Sequence, residues 1–268
     1  MEPLVNIALR AARSAGDKIV RAAERMDRIR VDEKSANDFV SDVDRLAERE
    51  IVDCLRRYYP GHRFLCEESG ESGNPRADHL WVIDPLDGTT NFLRGIPHYA
   101  VSIACLVRGR IEHAVIYDPV KGEEFTASRG RGAYLNGRRL RVSGRNGKRG
   151  ALFATGIPFA GRAAEHLEEY LQVLAALVNG SSGIRRLGAA SLDLAYVAAG
   201  RFDAFWEMYL KPWDIAAGVL LVREAGGLVS DFRGGERFLE CGHVVAATPR
   251  LFKPTLQVIE RHLGHVQG

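Results

Sequence analysis

Leu80-Trp-Val-Ile-Asp-Pro-Leu-Asp-Gly-Thr-Thr-Asn-Phe92 is the stretch around which the rest of the chain is organised. Leu80 to Ile83 is an apolar run of strand length that breaks at Pro85. Asp84 and Asp87 then sit three residues apart on a turn, followed by Gly88, Thr89 and Thr90. Such a turn presents two hard oxygen ligands on one side and free backbone N–H groups on the other. Carboxylates so placed suit Mg²⁺, which takes one or two carboxylates together with substrate phosphate oxygens. The N–H groups of Gly88, Thr89 and Thr90 suit a phosphate if a helix begins there. An ordinary Asp-Gly turn at the end of a strand has the same local sequence, so both readings stand.

Upstream, apolar residues recur from Leu4 to Met26 at the spacing of one helix face. After the polar segment Asp32 to Asp38, Ser41 or Asp42 is placed to cap a second helix whose stripe is Val43, Ala47, Ile51, Leu55 and Tyr58. Asp44 falls in its first turn, where a carboxylate favours the helix dipole; capping is its local reading. Phe64 to Cys66 is a short strand running into Glu67-Glu-Ser-Gly70, either a solvated turn or a further carboxylate for the site, and 71–78 is a loop. Downstream, strands are expected over Tyr99–Val107, Ile111–Tyr117, Glu123–Ser128 and Tyr134–Val142, with a hairpin signal at Asn136-Gly137. This is an antiparallel succession.

The second half changes rhythm. Strands are expected over 151–154, 184–187, 202–208, 228–232 and 244–247, and helices over 163–178, 189–199, 213–225 and 249–263. Pro212 opens the third of these helices and places Asp214 at its N-terminus, while Glu207 lies near the end of a strand. The segment 143–150 divides the halves. Residues 129–149 hold Arg129, Arg131, Arg138, Arg139, Arg141, Arg145, Lys148 and Arg149 with no acid among them. An RNA or an acidic partner would suit that run. A solvated hairpin face protecting a sheet edge is favoured, because only Tyr134 is interleaved for stacking.

With 268 residues, 46% hydrophobic and 26% charged, the chain has the composition of a soluble globular protein. A net charge of +3 is too small to argue nucleic-acid binding. Cys54, Cys66, Cys105 and Cys241 are scattered and form no C-x-x-C pair, so reduced thiols in a cytoplasmic protein are expected. No signal peptide and no transmembrane helix are expected.

Glu67, Asp84, Asp87 and Asp214 all fall at element ends, with Asp44 and Glu207 as two more acids. Periodicity alone does not bring them together. Glu67-Glu-Ser69, Trp81 to Thr90, and Trp213-Asp-Ile-Ala-Ala-Gly218 with Glu224-Ala-Gly-Gly227 resemble the signatures of the inositol monophosphatase family, in the family's order and spacing. The resemblance runs from the first helix to Ala247; Leu192 to Arg201 and Asn6 to Arg13 look most like its bacterial SuhB-type branch. It implies an α/β fold, a layered αβαβα sandwich of the inositol monophosphatase and fructose bisphosphatase type. The whole chain would be a single domain, with subdomains 1–145 and 150–268, forming a homodimer. The implied activity is Mg²⁺-dependent, lithium-sensitive hydrolysis of inositol 1-phosphate or a similar polyol phosphate, with two or three ions. Sugar bisphosphate or nucleotide phosphatase is a sister reading. The branch also implies a role in transcription antitermination, with Nus factors and RNA polymerase as partners and no membrane.

Carried over by position, Glu67, Asp84 and the Leu86 carbonyl would hold one ion, and Asp84, Asp87 and Asp214 a second. Two ions about 3.5–4 Å apart activate water and stabilise the leaving oxygen. Thr89 paired with Asp44 would orient and help deprotonate that water, with Glu67 counted beside them as catalytic. Gly88 and Thr89 N–H groups, beside Asp87, would hold the phosphate. Glu207, Gly188, Ala190 and Arg185, with Asp214, would face the rest of the substrate. Two departures stand out. Cys66 occupies a position where many members have glycine, and Ala189 replaces a hydroxyl residue of animal members. Loss of such a polar partner can reshape specificity.

Overall fold

The computed structural model describes residues 2–25, 29–35, 38–158 and 161–266. The N-terminal helix, α1 (Pro3–Ala23), buries Val5, Ala8, Leu9, Ala11, Ala12, Ala15, Gly16 and Ile19 on one face. The face is mostly alanine, so the helix lies close to the sheet beneath. A Cβ on Gly16 would stand 2.6 Å from the Tyr117 ring. Met26, assigned to this helix from sequence, lies outside the described residues. The polar run that follows forms a hairpin, β1 (Val31–Ser35) and β2 (Asp38–Ser41), which its composition did not announce. Ser41 then caps α2 (Asp42–Tyr58) through its hydroxyl on the Val43 N–H.

A larger sheet follows: β3 (Arg63–Cys66), β4 (Gly70–Gly73) and β5 (His79–Asp87), then the short helix α3 (Thr89–Leu93). It continues with β6 (Ala100–Val107), β7 (Arg110–Asp118), β8 (Glu123–Ser128), β9 (Gly132–Leu135) and β10 (Arg138–Arg139). Eight strands pair in the order β10-β9-β8-β7-β6-β5-β3-β4, all antiparallel except β3 with β5. Two expectations are corrected here. The first part of the loop at 71–78 is strand β4. And β5 does not break at Pro85: pairing with β6 runs through Asp87, with a shift of register between Asp84 and Asp87. A bulge accommodates a residue that has no N–H to give the ladder.

The second half contributes β11 (Leu152–Thr155), α4 (Gly161–Ala164), α5 (Leu167–Val178), β12 (Gly183–Arg185), α6 (Ala190–Ala198) and β13 (Ala204–Glu207). It ends with α7 (Pro212–Glu224), β14 (Leu228–Ser230), α8 (Phe238–Cys241), β15 (Val244–Ala247) and α9 (Pro249–Leu263). The helix expected over 163–178 is two pieces, and α8 went unforeseen. The five strands pair as β12-β11-β13-β15-β14.

Strand alternation builds the layers. In β5, Trp81 and Ile83 join α1 and α2 in one core while Val82 faces a second core with α6 and α7. In β13, Phe205 faces α6 and α7 while Trp206 turns to a third core with α5 and α9. The result is a five-layer αβαβα sandwich, with α6 and α7 enclosed between the sheets. Their sequences lack a polar stripe for that reason: every residue of α6 is buried. No helix among the described residues is long and apolar enough to cross a membrane.

The middle layer tolerates no extra volume. A Cβ on Gly218 of α7 would lie 2.5 Å from the Leu194 Cβ of α6. Gly218→Ala is therefore expected to cost about 1–3 kcal/mol through overpacking, measured as a lower urea midpoint with an unchanged slope. A neutral result would show that the α6–α7 contact is loose.

Candidate active site

The end of β5, the start of α3 and the N-termini of α2, α6 and α7 meet at one cleft. Asp84 closes a local turn by accepting the Leu86 N–H at 2.9 Å. Thr89, first residue of α3, places its hydroxyl 3.0 Å from Asp44 Oδ1 and 3.0 Å from the Leu86 carbonyl. Asp44 is fully buried at the third position of α2, and its other oxygen accepts the Ser41 N–H at 2.8 Å and the Ser41 hydroxyl. The capping reading of Asp44 and its pairing with Thr89 are thus both present, one on each oxygen.

Asp87 reaches across the molecule to α6, accepting the Ser191 N–H at 2.8 Å and the Ser191 hydroxyl. Asp214 accepts the Lys211 N–H at 2.6 Å at the start of α7. Asn91 ties the two halves: its amide donates to the carbonyls of His98 and Leu187, both at 2.8 Å. Ser102 of β6 donates to the Trp213 carbonyl at 3.0 Å. Gly88 stands at φ +94°, and a Cβ there would press on the carbonyls of His98 and Gly188, at 3.1 and 3.3 Å. Only glycine fits both the left-handed backbone and the approach of the two loops.

Electrostatics mark the same place. Burial pushes the Asp84 carboxyl well above the ordinary range, and the charges of Glu67, Asp87 and Asp214 push it further. Burial does the same to Asp214, with Asp87 adding to it. Asp87 is raised by burial to about 6, with the Ser191 hydrogen bonds opposing. Asp44 is raised by burial against its Ser41 and Thr89 bonds. Glu67 is half-buried next to Asp84, its N–H bonded to the Ile83 carbonyl at 3.1 Å. Among the described residues, the three-donor set that converges within 4.8 Å lies elsewhere, at His166, Glu169 and His265. Among the central carboxylates, Asp84 shares a hydrogen bond with Glu67, and Asp84, Asp87 and Asp214 each accept a backbone N–H.

On the far wall, Glu207 sits directly over Gly156. Burial raises its carboxyl to about 7 while the charge of Arg186 pulls it down. Ala189 and Ala190 are buried at the start of α6, and Gly188 precedes them at φ +82°. Arg185 is exposed at the end of β12 with its guanidinium on the Ile184 carbonyl. Its neighbour Arg186, just past the strand, lies over Gly188 and acts on Glu207 and on the buried Asp193. Gly156, Ser191, Asn91 and Asp193 were not singled out from sequence. Asn91 and Asp193 had a visible signal, their places in the central motif and in the segment Leu192 to Arg201. Cys66 is buried, its thiol pushed up to about 12 by burial, so it is an inert strand residue.

The profile of the inositol monophosphatase family matches residues 1–263. The chain belongs to the inositol monophosphatase family. It is 62% identical to the Nus factor SuhB of Pseudomonas aeruginosa over 265 residues, covering 98% of each chain. Among solved structures, the extragenic suppressor protein SuhB of Bartonella henselae is similar with a TM-score of 0.94 and 42% identity, over 98% of this chain and 100% of that one. The inositol monophosphatase of Anabaena is similar with a TM-score of 0.81 and 31% identity, over 98% of each chain.

Glu207 makes this family member's stability pH-dependent. A carboxyl raised in the folded state stabilises fully below its ordinary pKa and loses that contribution as pH rises through about 7. Glu207→Gln should match wild type near the ordinary carboxylate pKa and exceed it by roughly 2–3 kcal/mol above neutrality. Urea melts of metal-free protein across pH measure the difference. A constant gap would refute the assignment.

Proposed function

We propose that the chain is a Mg²⁺-dependent phosphomonoesterase acting on inositol 1-phosphate or a similar polyol phosphate. The observation that carries this reading is the burial of Asp84, Asp87 and Asp214 side by side, each carboxyl raised by burial and by its neighbours' charge. Buried like charges cost stability unless opposite charge sits among them. A protein serving only as a docking surface gains nothing from such an arrangement. An all-oxygen donor set fits a hard divalent cation, Mg²⁺ above zinc or copper. Glu67, Asp84 and the Leu86 carbonyl would hold one ion, and Asp84, Asp87 and Asp214 another. Bound there, the metal would lower the pKa of water and neutralise the leaving oxygen.

The chain's own groups supply the rest. The Thr89 hydroxyl has one proton and two acceptors, Asp44 Oδ1 and the Leu86 carbonyl, each at 3.0 Å. Donating to Asp44 leaves its lone pairs to accept a proton from water in the cleft. Asp44, raised by burial, is well suited to receive that proton in turn. The N–H groups that open α3, at Gly88 and Thr89, have no acceptor within the helix and suit a phosphate. Glu207 accepts from a substrate hydroxyl, with the Gly188 and Ala190 backbone beside it. Arg186, and not Arg185, supplies the positive charge on that side.

A second reading is favoured by one observation, the name Nus factor SuhB borne by the Pseudomonas relative. Association with transcription machinery would use the outer surface and leave the cleft free. The run 129–149 gives it limited support, because three of its eight cations are paired within the chain. Arg129 pairs with Glu112 at 3.1 Å, Arg131 with Glu2 at 3.0 Å and Arg145 with Asp203 at 3.1 Å.

Phosphate release from inositol 1-phosphate should require Mg²⁺ and vanish in Asp87→Asn. Thr89→Ala should lower kcat by about 10²–10⁴ with KM little changed. Wild-type turnover by folded Thr89→Ala would remove Thr89 from the mechanism. Absence of turnover by the wild type on a panel of polyol, sugar and nucleotide phosphates would leave the transcription reading, tested by retention of RNA polymerase on the immobilised chain.

A further inference from the structure

The break between α4 and α5 leaves His166 at the N-cap of α5, with Glu169 three residues on, along the same helix face. The C-terminal tail brings His265 to the same place. One donor atom from each of the three lies within 4.8 Å of the others. The imidazole rings of His166 and His265 stand 5.9 Å apart, close to perpendicular at 75°. No residue of this cluster belongs to the cleft described above.

The surroundings hold both histidines in place. The His166 carbonyl accepts the N–H of Tyr170, a fully buried residue, at 3.0 Å, and the His166 ring stacks on Tyr209 at 6.4 Å. On the tail, Arg233 donates to the Gly264 carbonyl at 2.7 Å, one residue before His265. Val266, one residue after it, is buried in the core formed by α5 and α9. His262 and Gln172 bridge the two helices at 2.9 Å. His265 is thus an exposed side chain on a backbone anchored from both sides.

We propose that His166, Glu169 and His265 form a zinc site that clamps the C-terminal tail to the start of α5. Two imidazoles and one carboxylate are a donor set that zinc takes with a water in the fourth position. Tetrahedral ligands at 2.0–2.1 Å stand about 3.3 Å from one another. The present donors close to that spacing by side-chain rotation, which their partial exposure permits. The same set disfavours Mg²⁺, which prefers oxygen ligands, so the cluster and the carboxylate cleft select different ions.

The test titrates Zn²⁺ into the full chain in excess Mg²⁺ and follows the histidine ring signals by NMR, assigned with His166→Ala and His265→Ala. One equivalent should move both signals together, and either substitution should abolish the response of the remaining histidine. Glu169→Gln should weaken the response more than about tenfold while Mg²⁺-supported phosphate release persists. Signals that move only at large excess, or a His265 response unchanged by His166→Ala, would overturn the site. Should a histidine variant fail to fold, the wild-type titration and Glu169→Gln still decide.

Discussion

Each buried acid on the catalytic side of the cleft is held by backbone N–H groups, and three of them sit at the N-terminus of a different helix. Asp44 accepts from the start of α2, Asp87 from the start of α6 and Asp214 from the start of α7. A helix N-terminus carries partial positive charge and unsatisfied donors, so it is one of the few apolar-lined places where a carboxylate remains an anion. The architecture follows from that requirement. Three helix ends have to converge at the end of one strand, and the layers are arranged so that they do. The bulge at Pro85 serves the same end, because it lets Asp84 and Asp87 both face the cleft where a regular strand would alternate them otherwise than observed.

Convergence also demands close approach, and the small residues supply it. Gly88 and Gly188 let the turn after β5 meet the loop before α6, and Asn91 seals the contact with three carbonyls. Gly218 lets α7 lie against Leu194 of α6, and alanines line α1. These residues set the distance between the functional side chains of the cleft, and a displacement of an ångström in such a site can cost as much as losing a side chain.

Most of the strands and helices were legible from a clear pattern: apolar runs bounded by turns along β6 and β7, and a period of three to four along α1 and α2. Of the enclosed helices, α6 was legible as a run of small residues and α7 from Pro212, since burial erased the stripe. Three kinds of feature were not legible. The β1–β2 hairpin takes in the polar run Asp32 to Asp38, which reads as a loop. Continuity of β5 through Pro85 depends on a partner strand, which local sequence does not contain. The choice between Arg185 and Arg186 rests on how the chain turns as β12 ends, which local sequence does not contain. The acids of the cleft were nameable through family resemblance, and their tethers were not. Lys211 acts through its backbone N–H, which every residue has, so no residue type marks it; Ser191 adds its hydroxyl, but no local pattern pairs it with Asp87.

The two halves of the cleft carry different duties. The groups proposed for hydrolysis, Asp44, Glu67, Asp84, Asp87 and Thr89, all come from the first ninety or so residues. The far wall, Gly156, Arg186, Asp193 and Glu207, comes from the second sheet and is governed by charge and space. Glu207 rests on Gly156, where a Cβ would stand 1.8 Å from its carboxylate, and its charge is balanced by Arg186 against Asp87. Under the proposed function, a change on that wall alters which hydroxyl pattern is accepted without moving a group that handles phosphate. Ala189, buried just before α6, belongs to the same wall. On that reading, substrate choice is a property of the second half, acting on a hydrolytic centre that the first half completes except for Asp214.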